Sequence, residues 1–184
     1  MDAFSFSLTP REKDYLKDVV RQSIASGLRK DAGWLPPEPP TALLREAHGA
    51  FVSLKLHGDL RGCIGRIVDE QPLFQTIAHM AQAAAFEDPR FPPLTEAEFA
   101  ALEVEISILG PITRCHDPAA IEVGRHGLIM RQGMRQGLLL PQVPVEWCWD
   151  RETFLAHTCQ KACLSPNAWT HPDTEIYCFE AEVF

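Results

Sequence analysis

The sequence predicts an α+β fold with a largely antiparallel sheet. Segments with apolar residues at every third or fourth position, typical of amphipathic helices, are interspersed with segments in which apolar and polar residues alternate. Alternation indicates strands with one buried face, whereas the strands of parallel sheets are commonly apolar throughout. Together these two observations favour helices packed against an antiparallel sheet.

The first third of the chain is predicted to hold one helix and two strands. Thr9-Pro10-Arg11-Glu12 is a capping box with proline at the first helical position, and helical spacing continues to residue 28. Four prolines in residues 33–40 exclude a regular helix, so this segment is predicted to be an extended connection. Residues 50–56 alternate as a strand, Gly58-Asp59 is a turn candidate, and residues 60–64 return beside the first strand.

The middle of the chain is predicted to hold two helices and a strand. Pro72 opens a helix whose small residues permit close packing on a sheet, and a loop punctuated by prolines follows at 86–93. Thr95 and Glu98 form another capping box, which opens a short helix through residue 101. Residues 103–108 alternate as a strand with two glutamates on its polar face. Such glutamates are either acid–base groups facing a cleft or, more commonly, part of a solvated face.

The last third is predicted to hold a hairpin, a helix and a terminal strand. Residues 127–131 and 137–140 are predicted to form a β-hairpin around Gln132-Gly133-Met134-Arg135. Asp150 or Glu152 begins a helix, and residues 177–183 alternate as a single strand.

Composition limits the classes of function. The 184 residues fit one domain or two closely packed halves. The net charge of −8 argues against binding driven by nucleic-acid phosphates, which requires a basic surface. The sequence shows neither an apolar run of about 20 residues nor a cleavable signal, so we expect a cytoplasmic location. The six cysteines include no Cys-x-x-Cys pair, so reduced thiols are expected and neither a metal nor another cofactor is predicted.

The densest cluster of special residues is Leu60-Arg61-Gly62-Cys63-Ile64-Gly65. Two glycines around a cysteine suggest a thiol presented on a tight, exposed turn, and a neighbouring arginine favours the thiolate form. The alternative is a strand end in which the glycines form a bulge and Cys63 is a small buried apolar residue. The residues alone favour this second interpretation.

Two other positions are candidate site residues. Arg90 follows Asp88 in the 86–93 loop, where an ion pair that pins the loop is the commoner explanation. His126 precedes the predicted hairpin, and a lone histidine on a turn is more often structural than catalytic.

Several segments together resemble the AMMECR family, whose prokaryotic members are called AmmeMemoRadiSam system protein A. The resemblance runs from about residue 9 to the end and is most specific around Cys63. The matching segments begin with Gly49-Ala50-Phe51-Val52-Ser53-Leu54, Leu60-Arg61-Gly62-Cys63-Ile64-Gly65 and Ala84-Ala85-Phe86-Glu87-Asp88-Pro89-Arg90-Phe91. They continue with Glu105-Ile106-Ser107-Ile108-Leu109, His126-Gly127, Gly137-Leu138-Leu139-Leu140-Pro141-Gln142-Val143 and Phe154-Leu155, which leads to Cys159-Gln160-Lys161-Ala162.

The resemblance carries expectations about fold and partners. It implies a single domain over residues 1–184 with two subdomains, in which two β-α-β type repeats share one barrel-like sheet. It also implies partnership with a Memo-like protein and a radical S-adenosylmethionine enzyme. Cys163 stands where the family usually has glycine, so a helix that ends there with a glycine cap is expected to be strained.

The sequence is compatible with three kinds of function. In an enzyme, Cys63 is the nucleophile and His126 the general base; Arg61, Gly62, Gly65, Arg90 and Gln142 are the binding residues for a small substrate. In a binding module, the same stretch holds a ligand or a partner without chemistry. RNA binding is a third hypothesis, which the acidic net charge disfavours. The sequence is also compatible with a homodimer.

Overall fold

The computed structural model describes residues 7–184 and confirms the α+β class. The helices are α1 (Pro10–Leu28), α2 (Leu73–Phe86), α3 (Glu96–Phe99), α4 (Gln142–Glu146) and α5 (Arg151–Lys161). The strands are β1 (Ala50–Leu56), β2 (Asp59–Arg66), β3 (Leu102–Leu109), β4 (Thr113–Arg114), β5 (Gly127–Gln132), β6 (Arg135–Leu139), β7 (Glu175–Phe179) and β8 (Ala181–Val183). No helix within residues 7–184 has both the length and the apolar character needed to cross a membrane.

The chain divides into two compact units. Residues 7–109 and 182–184 belong to the larger unit, and residues 110–181 to the smaller one. One four-stranded sheet has the order β2-β1-β3-β8 and the other the order β4-β7-β5-β6. The strands therefore form two open antiparallel sheets, where the resemblance implied one barrel-like sheet.

The end of the chain contributes to both sheets. The sequence predicts one terminal strand, but the structure divides it at Glu180 into β7 and β8. The side chain of Glu180 is held by Arg125 at 3.0 Å, and its carbonyl accepts a hydrogen bond from the Gly110 amide. Glu180 makes these contacts and does not belong to the strand on either side of it. The alternation of apolar and polar residues therefore continues through Glu180, but the strand is interrupted there.

In the larger unit, helices α1 and α2 form the apolar core with one face of the sheet. The alternation predicted for β1 is confirmed, since Ala50, Val52 and Leu54 are fully buried. They share this core with Leu16, Val20 and Ile24 of α1 and with Ile77 and Ala81 of α2. Hairpin β1–β2 turns at His57 and Gly58, both in the left-handed region, one residue before the predicted turn.

In the smaller unit, α5 forms a core with the β5–β6 hairpin and β7. Phe154, Leu155 and Cys159 of α5 cluster with Leu128 and Met130 of β5 and with Ile176 and Cys178 of β7. A Cβ atom at Gly137 of β6 would lie 2.3 Å from the Ala162 nitrogen, so glycine permits α5 to end against this strand. Burial raises the pKa of the Cys178 thiol to about 12 and also raises that of Cys159, so both behave as apolar core residues.

Helix α5 ends in a Schellman motif that confirms the strain expected at Cys163. The amide of Leu164 donates to the Cys159 carbonyl at 2.9 Å, and the amide of Cys163 donates to that of Gln160 at 2.9 Å. Cys163 adopts φ +58°, a conformation that costs a residue with a Cβ atom about 1–2 kcal/mol.

Replacing Cys163 by glycine is therefore expected to raise the free energy of unfolding by about 1 kcal/mol. Urea denaturation followed by circular dichroism measures the change. Cys163→Ala is the matched control, because it removes the thiol and keeps the Cβ atom. An equal gain in both variants would show that the thiol, and not the backbone conformation, is the source of the cost.

Candidate functional site

The stretch around Cys63 is a strand, and the prediction of an exposed turn is wrong. In β2, Cys63 lies opposite Ser53 and Gly62 lies opposite Leu54, but Leu60 already lies opposite Lys55. Arg61 is thus the extra residue of a β-bulge, which bends a strand and redirects its side chains. The alternative of a bulged strand is correct, although the bulge lies at Arg61 and not at a glycine.

The two glycines of this stretch serve close packing. Neither has a positive φ. A Cβ atom at Gly62 would lie 2.1 Å from the carbonyl oxygen of Ala84 in α2. A Cβ atom at Gly65 would lie 2.2 Å from the ring of Phe51. Glycine is therefore required so that α2 can approach one face of β2 while Phe51 covers the other.

The backbone of Cys63 is held by the 86–93 loop. Strand β2 lies at the edge of its sheet, so the outward amide and carbonyl of Cys63 face no neighbouring strand. The amide of Cys63 donates to Asp88 Oδ2 at 2.9 Å, and its carbonyl accepts from Arg90 Nη2 at 3.2 Å. Two side chains thus supply the hydrogen bonds that a further strand would make.

Asp88 and Arg90 form the ion pair that the sequence favours, and it pins the loop. Arg90 Nε donates to Asp88 Oδ1 at 2.9 Å and Nη2 to Oδ2 at 2.7 Å, a two-point contact. The Asp88 side chain is 2% exposed, whereas that of Arg90 is 48% exposed. Hydrogen bonds from Arg90 hold the pKa of Asp88 well below its usual range, outweighing the opposing effect of burial. Arg90 therefore pairs with a buried carboxylate and itself places a partly exposed positive charge beside Cys63.

The thiol of Cys63 lies on the face of the sheet opposite the helices. It is half-buried and accepts a hydrogen bond from the Ser53 hydroxyl, with 3.2 Å between Oγ and Sγ. Ser53 is itself buried on β1. Because Cys63 makes hydrogen bonds through its amide, its carbonyl and its sulfur, the thiol has a defined position on β2.

Arg61 is buried and neutralised by Glu98. Its Nε donates to Glu98 Oε1 at 2.8 Å and its Nη2 to Oε2 at 3.2 Å. Its guanidinium also lies 5.9 Å from the centre of the Phe91 ring, which Arg90 approaches at 5.5 Å. The bulge therefore turns Arg61 towards α3, where it ties that helix to β2.

Removing the charge of Glu98 is expected to destabilise the larger unit in a pH-dependent way. Hydrogen bonds from Arg61 lower the pKa of Glu98 to about 2, from about 4.3 in an unfolded chain. The ion pair therefore contributes fully above about pH 4.5, and its contribution is lost as the pH falls towards 2. We expect Glu98→Gln to cost about 1–2 kcal/mol at pH 7, since Glu98 is partly exposed.

Urea denaturation at several pH values checks this expectation. The stability difference between the wild type and Glu98→Gln is expected to shrink as the pH falls from 4.5 to 2. Glu96→Gln, an exposed change in the same turn of α3, is the matched control. A difference that does not change with pH would contradict the assigned ion pair.

His126 and Gln142 belong to the smaller unit. His126 is buried, its Nδ1 accepts a hydrogen bond from the Glu122 amide at 3.0 Å, and its own amide donates to the Glu122 carbonyl. These contacts give the ring a local role in closing the turn before β5. Gln142 begins α4, a helix that the sequence did not predict. The catalytic role of His126 and the binding role of Gln142 stay predictions.

Two participants at the Cys63 site were missed. Ser53 sits on the polar side of an alternating strand, and only the register with β2 reveals its contact with the thiol. Glu98 was recognised only as part of a capping box, although one of its oxygens accepts from Thr95 while both accept from Arg61. The described residues contain no group of three or more His, Cys, Asp or Glu side chains arranged to hold a metal ion.

Comparison with known proteins shows which family the chain belongs to. A family model described as AMMECR1 matches residues 17–184. Protein MK0488 of Methanopyrus kandleri is 44% identical over 186 residues, covering 96% of this chain and 89% of that protein. Protein TK0174 of Thermococcus kodakarensis is 42% identical over 93% of this chain and 88% of its own length.

A solved structure agrees with these matches. The crystal structure of uncharacterized protein PH0010 from Pyrococcus horikoshii has a TM-score of 0.92 and 40% sequence identity. The match covers 97% of this chain and 93% of that one. By sequence over most of its length and by fold, the chain belongs to the AMMECR1 family.

Proposed function

We propose that the protein is a cysteine-dependent enzyme that acts on a small substrate through Cys63, in one pathway with a Memo-like protein and a radical S-adenosylmethionine enzyme. The observation that carries the proposal is the fixed position of the half-buried thiol. Arg61, Gly62, Ile64 and Gly65 each have a packing or ion-pair role that accounts for them. Cys63 is not among the residues of the hydrophobic core of the larger unit, and its thiol accepts a hydrogen bond from Ser53.

The surroundings of Cys63 suit a nucleophile. The thiol proton first passes to solvent, and the thiolate at Sγ then adds to a double-bonded electrophilic carbon of the substrate, such as a carbonyl carbon. The S–C bond forms as the π bond opens and its electron pair moves to the other atom of the double bond. The Ser53 hydroxyl, which donates to Sγ, orients the sulfur and stabilises negative charge on it. The partly exposed guanidinium of Arg90, bonded to the carbonyl of Cys63, offers a positive charge to an anionic substrate group.

Replacement of Cys63 in cells tests the proposal. Metabolites that disappear when the gene is deleted are identified by mass spectrometry, and variants are then tested for their restoration. We expect Cys63→Ala and Cys63→Ser to restore none of them while the proteins fold and retain their partners. Cys148→Ser, which removes an exposed thiol from the smaller unit, is the matched control and is expected to restore them all.

A binding module is the second candidate, favoured by one feature. Arg90 is already neutralised by Asp88 and yet leaves about half of its side chain exposed at the edge of the sheet. Such a group can hold an acidic ligand without any reaction at the thiol. Full restoration by Cys63→Ala, together with its loss in Arg90→Ala, would establish binding and overturn the enzyme.

A further inference from the structure

Two cysteines of the smaller unit come together where β4 pairs with β7. In this antiparallel pair Thr113 lies opposite Cys178, and the amide of Cys115 donates to the Ile176 carbonyl at 2.8 Å. Because Cys115 is two residues beyond Thr113, its side chain lies on the same face as that of Cys178, as a diagonal neighbour. Cys178 belongs to the apolar core of the smaller unit, and Cys115 packs against that core.

The two cysteines differ in their exposure to solvent. Cys115 is half-buried, and its thiol donates to the Asp117 carbonyl at 3.3 Å in a hydrogen bond that is exposed to solvent. Cys115 also lines a cavity of about 350 Å³, together with its neighbours Arg114 and His116. Cys178 is only 3% exposed. A small reagent that arrives from solvent therefore meets Cys115 before Cys178.

The two thiols interact with each other. Burial raises the pKa of the Cys178 thiol to about 12, and the negative charge of an ionised Cys115 and a hydrogen bond to that residue add to the effect. A neutral group in place of the Cys115 thiolate removes this charge, so Cys178 then loses its proton more easily. A chemical change at Cys115 is thus expected to make Cys178 more reactive.

A bond between the two sulfurs requires only a small movement of the backbone. Diagonal neighbours in an antiparallel pair lie about 7–8 Å apart at their Cα atoms, whereas a disulfide spans about 4.4–6.8 Å. Cys115 must therefore approach β7 by about 1 Å. It follows the two-residue strand β4 at the edge of the sheet, between the exposed residues Arg114 and His116, so little packing opposes this movement.

We propose that Cys115 and Cys178 form a disulfide when the protein meets a small hydroperoxide. The Cys115 thiol loses its proton to solvent, and the thiolate attacks the terminal oxygen of the peroxide. The O–O bond breaks, Cys115 becomes a sulfenic acid, and the other oxygen takes up a proton and leaves as water or an alcohol. The Cys178 sulfur then attacks the Cys115 sulfur, the S–O bond breaks, and the departing hydroxide takes up the Cys178 proton to give water. Two thiols are thereby oxidised and one peroxide is reduced.

Oxidation of the native protein with equimolar hydrogen peroxide tests the proposal. The remaining thiols are blocked with iodoacetamide, the protein is digested without a reductant, and linked peptides are identified by mass spectrometry. We expect the main disulfide within one chain to join Cys115 to Cys178, with equal losses of the two free thiols. Cys148→Ser, which removes an exposed thiol of the same unit, is the matched control and is expected to leave this link unchanged.

Dimedone, which labels sulfenic acids, shows the order of the two steps. We expect it to label Cys115 several-fold more strongly in Cys178→Ala, where the second step is blocked, than in the wild type. Equal labelling of Cys115 in the two proteins would overturn the proposal. So would oxidation of the exposed Cys148 or Cys163 without a link between Cys115 and Cys178. The link is measured in the wild type, so the test remains decisive even if Cys178→Ala is unstable.

Discussion

Replacing Asp88 by asparagine is expected to lower the free energy of unfolding by about 2–3 kcal/mol. The change leaves the Arg90 guanidinium without its carboxylate and puts an amide where the Cys63 amide finds its acceptor. Losing one partner of a buried ion pair costs about 3–5 kcal/mol, and the exposure of Arg90 reduces that figure. Because the pKa of Asp88 is lowered in the folded protein, its contribution is complete above the pKa of an unfolded aspartate.

Urea denaturation measures this loss of stability. Its pH dependence separates the contribution of the Asp88 charge from that of the shape of the side chain. As the pH falls below about 4, the wild type is expected to lose stability towards that of Asp88→Asn. Asp173→Asn, at an exposed position in the smaller unit, is the matched control and is expected to be nearly neutral. If Asp88→Asn were as stable as this control, the loop would not be held in the way described.

Replacing Gly62 by alanine is expected to cost about 3 kcal/mol or more. The new methyl group would lie 2.1 Å from the Ala84 carbonyl oxygen, which belongs to the backbone of α2 and cannot rotate away. Either β2 or α2 must shift, and overpacking of a core typically costs 1–3 kcal/mol, occasionally more. Since Cys63 is the next residue, the shift is also expected to change the position of the thiol.

The expected result is a lower melting temperature or loss of soluble protein. Gly33→Ala is the matched control, because the nearest atom to its Cβ would be a side-chain oxygen at 3.6 Å and its φ is not positive. If Gly62→Ala melted with the wild type, the close approach of α2 to β2 would be refuted.

The elements that the sequence predicts best are those with local signals. The capping box at Thr9 and Glu12 and regular helical spacing predict the bounds of α1, and alternation predicts β1 and β3. In each case the residues that decide the structure lie within one element. The close packing expected of α2 is also confirmed. Small residues on a buried helix face allow the backbone of a neighbouring strand to approach closely.

The parts that were missed depend on contacts between distant residues. The bulge places Arg61 beside Glu98, which is 37 positions away, and no local pattern reports that pairing. The same holds for Ser53 beside Cys63 and for the division of the terminal strand at Glu180. The glycines at 62 and 65 suggested turns because turns are the common local use of glycine, whereas here their neighbours in space require it.

The rate of alkylation at Cys63 tests the central claim most directly. The folded protein is treated briefly with iodoacetamide at neutral pH, and the modified peptides are quantified by mass spectrometry. Cys148 and Cys163 are exposed, Cys63 is half-buried, and Cys159 and Cys178 are buried. If the strand and Ser53 prepare Cys63 as a nucleophile, it is expected to react faster than Cys148 and Cys163 despite its smaller exposure, and Ser53→Ala is expected to remove the excess. Reaction at Cys63 slower than at both exposed thiols, and unchanged in Ser53→Ala, would contradict the account and leave the strand as a binding surface.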